Sequence, residues 1–231
     1  IVSMAVTNQK GSYTLLPVTT VSSGAASGTE SAGTASETTI TYEVKELSGI
    51  PMNTYATGQV VQNGFSLNAT KNLGTTDDLN QYGLQSPQAT VEVTFKDGST
   101  YNYKIGNVSA TDSGAYYMCG ENSNNVYIVS IDSGLLEGKD YFVDRTILEI
   151  SSSSGTNNFT QINLSGTNYP SPITIKKYDA NNIITSPVNA KANPTTVEAL
   201  ETALASLSAD SVAATNPDAA TLASYGLDKP A

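Results

Sequence analysis

The strongest constraint on the fold is a sequence pattern that occurs twice, L-x-x-Y-G-L-x-x-P. The two copies span Leu79–Pro87 and Leu222–Pro230 and have identical spacing. In each copy leucine and tyrosine lie one helical turn apart, glycine permits a left-handed helix stop, and proline begins the next extended segment. The pattern therefore predicts two equivalent helix ends, at Gly83 and at Gly226.

The segments that precede the two copies follow one order, which indicates an internal repeat. A strand hairpin is predicted first, at Ile1–Val18 and again at Phe159–Tyr178. A longer helix then follows in each case, at Pro51–Leu67 and after the N-cap residue Asn193. The buried side chains expected in these helices are Tyr55, Val60, Val61, Phe65, Val197, Leu200, Leu204 and Leu207.

Alternating apolar residues predict the strands that follow the first motif. Thr90–Phe95 alternates, the turn Lys96–Ser99 reverses the chain, and alternation resumes at Tyr101. A second hairpin is predicted from Ala115–Cys119 and Val126–Ile131. Further elements are expected as a strand at Thr39–Val44, a short helix at Asp132–Lys139 and a closing strand at Thr146–Ile150.

These elements predict an α+β fold, in which an antiparallel sheet built from β-hairpins carries short helices packed on one face. We expect a first module at residues 1–150, with a flexible Ser/Gly/Ala loop at residues 21–39, followed by a partial second copy of the module at residues 151–231. The polar segment Ser151–Asn158 is the predicted boundary. Because the second copy stops before its strands, the natural protein is expected to run on past Ala231.

The charge balance excludes nucleic acid as a partner. The chain has 21 acidic and 11 basic residues, a net charge of −10, and Arg145 as its only arginine. Such a chain repels phosphate backbones and has no basic cluster that would release counterions. No run of 18 apolar residues occurs, so membrane attachment is expected only through an anchor upstream of Ile1.

The sequence contains little that supports catalysis. It has no histidine, which removes the commonest general base and most zinc sites. The glycines form no phosphate-binding pattern, and Cys119 is expected to be a small buried side chain. Acidic pairs such as Asp77 and Asp78 suit helix starts better than acid–base chemistry. We therefore expect a protein that is not an enzyme and needs no cofactor or metal.

Tyrosines are the one feature with binding potential. Those that fall on adjacent predicted strands are Tyr101, Tyr103, Tyr116, Tyr117 and Tyr127. Because Tyr101 and Tyr103 share a face, a tyrosine-bearing surface is one hypothesis, with a peptide, a glycan or a partner protein as its ligand. The alternative is that these rings cover the edge of the core, as most aromatic residues of sheets do.

The chain resembles the bacterial "domain of unknown function 4340" family. The resemblance lies in Tyr82-Gly83-Leu84 with its following proline, in the segment from Val91 to Gly106, and in the tyrosine- and valine-rich strands at Ala115–Tyr117 and Val126–Val129. It implies an extracytoplasmic protein of the cell envelope with an N-terminal membrane anchor and tandem copies, in some cases accompanying ABC-type transport. It supplies no catalytic residues.

The leading hypothesis is therefore an interaction or structural module that has a protein partner in an envelope assembly, as an accessory to transport. The alternative is a glycan- or peptide-binding module that uses the tyrosine face. A hydrolase based on a Ser–Lys pair or on paired carboxylates is a third hypothesis, which requires two such groups within hydrogen-bond reach in a cleft.

Overall fold

The computed structural model describes residues 1–22, 37–148, 159–178 and 181–229, and these form two compact units. The units are Ile1–Asp144 and Arg145–Ala231. The predicted boundary Ser151–Asn158 and most of the predicted loop at residues 21–39 lie outside the described residues. Among the described helices, none is long and apolar enough to cross a bilayer.

Unit 1 is an antiparallel sheet with one α-helix. Its elements are β1 (Ser3–Asn8), β2 (Gly11–Ser22), β3 (Glu37–Val44), α1 (Thr54–Phe65), β4 (Ala69–Thr75), β5 (Ala89–Thr94), β6 (Thr100–Val108), β7 (Tyr116–Gly120) and β8 (Asn125–Val129). The eight strands lie in the order β3-β2-β1-β5-β6-β7-β8-β4, and every neighbouring pair is antiparallel. The predicted α+β fold with hairpin-built sheets is confirmed.

Turn chemistry explains the two hairpins that the sequence predicts most clearly. At the β1–β2 turn, the Asn8 side chain accepts a hydrogen bond from the Lys10 backbone N–H at 2.8 Å, and Gly11 has a φ of +125°. At the β5–β6 turn, Asp97 accepts from Ser99 N–H at 2.9 Å, and Gly98 has a φ of +82°. Short polar side chains and glycine thus reverse the chain where a bulky residue would be strained.

Helix α1 covers one face of the sheet through small side chains. Its buried residues are Thr57, Val60, Val61 and Gly64, which follow the spacing of one helical face. A Cβ on Gly64 would lie 2.8 Å from Cε of Met4, so a larger residue there would require the Met4 side chain to shift. The cluster beneath α1 includes Met4, Val6, Tyr13, Leu15, Val44, Leu47, Val91, Val93, Tyr103, Ile105, Met118, Val129, Leu135 and Phe142.

Two residues predicted to be buried in this helix are exposed. The exposed fraction is 75% for Tyr55 and 40% for Phe65, so this prediction is wrong for both, whereas Val60 and Val61 are fully buried as predicted. The face of α1 that packs on the sheet carries Thr57, Val60, Val61 and Gly64, and the two aromatic rings lie on another face.

The first motif packs on the opposite face of the sheet from α1. Leu84, Cys119 and Val126 form a separate buried cluster with Leu79, Tyr82 and Tyr117. Met118 belongs to the α1 cluster, and its neighbour Cys119 therefore points to the other face. On β6, Gly106 lies directly beneath the motif, where a Cβ would overlap the carbonyl oxygen of Tyr82.

Unit 2 contains a smaller antiparallel sheet and two helices. Its elements are β9 (Gln161–Gly166), β10 (Tyr169–Tyr178), β11 (Asn181–Ser186), β12 (Ala190–Lys191), α2 (Pro194–Ala205) and α3 (Ala219–Ser224), and the strand order is β12-β11-β10-β9. The core contains Ile162, Ile175, Ala192 and Val197, with Leu200 and Leu204 packed against it. Leu207 was predicted on the same helix face, but it lies beyond the end of α2 and is 41% exposed.

Both motif copies end in the same hydrogen-bond arrangement. Leu84 N–H donates to the Leu79 carbonyl at 3.0 Å, and Leu227 N–H donates to the Leu222 carbonyl, also at 3.0 Å. Gly83 and Gly226 have φ values of +70° and +72°. These are the bonds of a left-handed glycine helix stop, as the pattern predicts.

Five elements differ from those that the sequence predicts. The segment predicted as a helix at Asp132–Lys139 contains a short 3₁₀ turn, Ser133–Leu136. The predicted closing strand at Thr146–Ile150 is reduced to one bridge between Thr146 and Ser208, and residues 149 and 150 lie outside the described residues. Strands β4, β11 and β12 were not predicted, because their residues lack a regular apolar alternation.

Replacing Gly106 should destabilise unit 1. We expect Gly106→Ala to lower the free energy of unfolding by about 1–3 kcal/mol, since the added methyl group has no room against the Tyr82 backbone. Urea unfolding measures the change. The matched control is Gly120→Ala on β7, where the nearest atom to the added Cβ is 3.5 Å away. Equal stability of the two variants would contradict the close approach.

The two motif copies should respond differently to the same substitution. Leu84 is fully buried, and Leu84→Ala should cost about 2–5 kcal/mol in the free energy of unfolding. Leu227 is 59% exposed, and Leu227→Ala should change stability by no more than about 0.5 kcal/mol. Urea unfolding of each unit, followed through amide signals, tests this. A large loss at both positions would mean that Leu227 is buried.

Candidate functional site

The structure divides the five predicted tyrosines between different environments. Tyr103 is 1% exposed and its hydroxyl donates to the Gly64 carbonyl at 2.6 Å. A ligand at the surface has no access to it, so Tyr103 is a core residue and its proposed binding role is wrong. Tyr101 is 38% exposed, with its ring 5.4 Å from that of Tyr103.

The other three tyrosines do not complete one surface. Tyr116 and Tyr127 are partly buried against the α1 cluster. Tyr117 points to the opposite face, where its ring contacts Tyr82 edge-on at a centroid distance of 4.8 Å. Adjacent residues of a strand point to opposite faces, so Tyr116 and Tyr117 cannot share one. That rule was available from the sequence alone.

The buried tyrosines make unit 1 sensitive to high pH. Burial raises the pKa of Tyr13 and of Tyr103 above the ordinary value of 10.0. The two tyrosine hydroxyls therefore ionise at a lower pH in the unfolded chain than in the folded one. Their contribution to the free energy of unfolding is complete below pH 10 and declines above it.

We expect the free energy of unfolding to fall above pH 10 by up to about 1.4 kcal/mol per pH unit for each of these two tyrosines. Urea unfolding between pH 9 and pH 12 measures this slope. Tyr103→Phe should remove one tyrosine's share of the slope. An unchanged slope in that variant would show that Tyr103 ionises equally well in both states.

A surface groove lies between strand β3 and helix α1. Its volume is about 470 Å³, and its lining residues are Ile40, Thr41, Tyr42, Thr54, Tyr55, Gly58, Gln59, Val61, Gln62 and Phe65. Buried Val61 lies at its floor, while Ile40, Tyr55 and Phe65 are 55%, 75% and 40% exposed. No lining side chain is charged at neutral pH. The groove is therefore an apolar surface with amide and hydroxyl groups at its sides.

Strand β3 is an edge strand, and local contacts show which of its backbone groups face outward. Tyr42 lies opposite Pro17 of β2, which has no N–H to offer. The Tyr42 carbonyl instead accepts a hydrogen bond from the Thr57 hydroxyl at 2.7 Å. The Val44 N–H is 3.2 Å from the Met52 sulfur. Both residues thus direct their backbone groups away from β2.

Because strand residues alternate in direction, Ile40 and Thr38 face the same way as Tyr42. No strand within the described ranges pairs with this side of β3. Thr57 of α1 contacts this edge at Tyr42, and Met52, which precedes α1, contacts it at Val44. The earlier part of β3 therefore presents backbone donors and acceptors beside an apolar groove, which is the arrangement that binds an extended peptide as an added strand.

The sequence contained one signal for this groove. Tyr55 and Phe65 lie on α1 outside the face formed by Thr57, Val60 and Gly64, so the helix carries apolar residues on two faces. A second apolar face on a surface helix indicates either a second layer or a binding surface. The prediction that both aromatic rings are buried does not separate these two faces of the helix.

A second, polar recess of about 240 Å³ lies on the other face of the sheet, lined by Ala5, Thr7, Thr90, Val91, Glu92, Asn102, Tyr103, Lys104 and Glu121. Asn102 donates to the Glu121 carboxylate at 2.8 Å. Its Oδ1 atom is buried and has no hydrogen-bond partner in the described part of the chain.

The groups considered for chemistry have structural roles. Asp132 accepts from Gly134 N–H at 2.9 Å and caps the turn Ser133–Leu136, and Asp78 accepts from Asn80 N–H at 3.1 Å. Cys119 is buried, which raises its pKa. Among the described residues, no group of three or more acidic or cysteine side chains is placed to hold a metal ion.

The chain is an α+β protein in which an edge strand, β3, lies beside an exposed face of helix α1. The family model described as "Domain of unknown function (DUF4340)" matches residues 43–230, and the chain belongs to this family. The match begins within β3 and covers α1, β4–β8 and unit 2, which confirms the resemblance found in the sequence. No curated protein and no solved structure matches the chain.

Proposed function

We propose that the chain is a non-catalytic protein-interaction module that binds an extended peptide segment in the groove between β3 and α1. The observation that carries this proposal is the open edge of β3 beside that groove. A partner segment adds to β3 as a further strand, and its backbone pairs with Thr38, Ile40 and the Tyr42 N–H. Backbone hydrogen bonds supply affinity that does not depend on sequence.

Side-chain contacts supply the selectivity. Alternate residues of an added strand point to the same face, so every second side chain of the segment enters the groove. There it meets the rings of Tyr55 and Phe65, with Val61 beneath. Aromatic residues that are held on a rigid helix and partly exposed are the usual anchors of protein interfaces.

The charge of the groove restricts the partner. Its lining carries hydroxyl and amide groups and no ionised side chain, although the chain as a whole has a net charge of −10. A charged side chain would lose water on entering without gaining an ion pair. The preferred segment is therefore uncharged, with apolar residues at alternate positions.

The proposal places this module in the cell envelope, as part of a membrane-anchored assembly that accompanies ABC-type transport. The support is the low content of charged residues, 14%, together with membership of the family.

Filling the groove should abolish binding without weakening the fold. A Cβ on Gly58 has nothing within 4 Å, so Gly58→Leu places a side chain in the groove at no steric cost to the core. We expect at least a tenfold loss of affinity for peptides selected on the wild-type chain from a displayed library of random octapeptides. Stability should rise by about 0.5–1 kcal/mol because glycine is a poor helix residue.

The matched control is Asn63→Leu, which adds the same side chain to an exposed position of α1 outside the groove. This variant should bind the selected peptides as the wild-type chain does. Amide signals of Thr38, Ile40 and Tyr42 should shift on binding. Failure to select any peptide, or equal affinity of the two leucine variants, would overturn the proposal.

A further inference from the structure

The polar recess on the face of the sheet opposite α1 brings together side chains from three neighbouring strands. The strand register arranges them in two adjacent rows. In the first row Glu92 of β5 lies opposite Asn102 of β6. In the second row Thr7 of β1 lies opposite Thr90 of β5, which lies opposite Lys104 of β6. Because the rows are two residues apart along each strand, they are separated by about 7 Å.

The first row presents acceptors of hydrogen bonds. Glu92 and Asn102 are direct cross-strand neighbours, so their Cβ atoms are about 5 Å apart. Glu121 is held at the same end, because its N–H donates to the Asn102 carbonyl at 2.9 Å and its carboxylate accepts from the Asn102 amide at 2.8 Å. The Oδ1 atom of Asn102 accepts no hydrogen bond from the described residues, which is rare for a buried polar atom. Since χ2 of asparagine has a broad range, the amide can turn so that this oxygen accepts from a donor in the recess.

The second row presents donors. The Lys104 ammonium group is accompanied by the hydroxyl groups of Thr90, directly opposite, and of Thr7 on the next strand. Lys104 and Glu92 are diagonal neighbours with opposite charges, yet neither forms an ion pair within the described ranges of the chain. The recess therefore has an unpaired cation at one end and an unpaired carboxylate at the other.

We infer that this recess binds a free α-amino acid as a zwitterion. The ammonium group of the ligand lies between Glu92 and Asn102, and its carboxylate contacts Lys104 and the Thr90 hydroxyl. Both charged groups of an α-amino acid are attached to one carbon atom, so a hydrogen bond of about 3 Å at each end lets the ligand span two rows that are about 7 Å apart. The recess volume of about 240 Å³ suits a ligand of this small size.

The arrangement of charges favours a zwitterion over other small ligands. A simple anion would pair with Lys104 but lie close to the carboxylates of Glu92 and Glu121, which repel it. A simple cation would pair with Glu92 but meet the Lys104 ammonium. A neutral ligand would displace water from both charges without pairing with either. A zwitterion pairs with both ends through charge-assisted hydrogen bonds.

The site is independent of the groove proposed for peptides. The recess lies on the face of the sheet opposite α1, whereas α1 itself forms one side of the β3 groove. None of the lining residues is shared between them. Failure of either proposal therefore leaves the other unaffected.

The test is a titration of each of the twenty common α-amino acids into the ¹⁵N-labelled whole chain at low ionic strength. At least one should shift the amide signals of the recess saturably, namely those of Thr7, Thr90, Glu92, Asn102 and Lys104. Acetate and ethylammonium each carry only one of the two charges. Both should therefore bind at least tenfold more weakly than that amino acid.

Substitutions that remove one charge make the test specific. Lys104→Gln and Glu92→Gln should each lower the affinity at least tenfold. Neither side chain is fully buried, so the fold should be retained, and an otherwise unchanged amide spectrum establishes this. The matched controls are Lys96→Gln and Glu43→Gln, which remove the same charges from unit 1 outside the recess and should leave the affinity unchanged.

Three results would overturn the inference. The first is that no amino acid shifts the signals of the recess. The second is that acetate or ethylammonium binds as tightly as the amino acid, which would indicate a site for a single charge. The third is that Lys104→Gln binds as tightly as Lys96→Gln, or Glu92→Gln as tightly as Glu43→Gln.

Discussion

The pairing of β1 with β5 is the contact on which unit 1 depends. It joins the N-terminal strands β1–β3 to the later strands β5–β8, and its register runs from Ser3 opposite Thr94 to Asn8 opposite Ala89. Bringing together two strands that are far apart in sequence costs more conformational entropy than forming a local hairpin does. The burial of Met4, Val6, Val91 and Val93 offsets that cost. The α1 cluster takes its residues from both groups of strands, and this pairing brings them together.

Local chemistry was predictable from the sequence, and burial was much less so. The hairpins at Asn8–Gly11 and Lys96–Ser99 and the stops at Gly83 and Gly226 depend on residues close in sequence, and all four are present. The exposure of Tyr55 depends instead on which face of α1 the sheet covers, and that face carries Thr57, Val60, Val61 and Gly64. The apolar pattern of the helix alone does not show which face that is.

The candidate site was hidden for the same reason. Strands β6, β7 and β8 are rich in tyrosine, which predicts a binding surface there. Neighbours such as Tyr116 and Tyr117 face opposite sides of the sheet, however, and Tyr103 is buried in the core. The groove beside β3 depends on strand order, which places β3 at an edge, and on the Thr57–Tyr42 hydrogen bond, which positions α1. Both features depend on residues far apart in sequence, and the alternation of apolar and polar residues along a strand does not reveal them.

The edge strands of the two sheets differ in how well they are protected against pairing with another strand. Strand β4 carries Lys71 at an exposed position and two register irregularities, and β12 has only two residues, one of them Lys191. Lysines, irregular pairing and short length are the features that keep an edge from recruiting another strand. Over their described side chains β3 and β9 carry no lysine and no proline, and each is at least six residues long. Of these two strands, β3 lies beside exposed apolar side chains, Tyr55 and Phe65. A strand edge next to an apolar surface is an aggregation hazard unless something covers it, which supports the binding role proposed for β3.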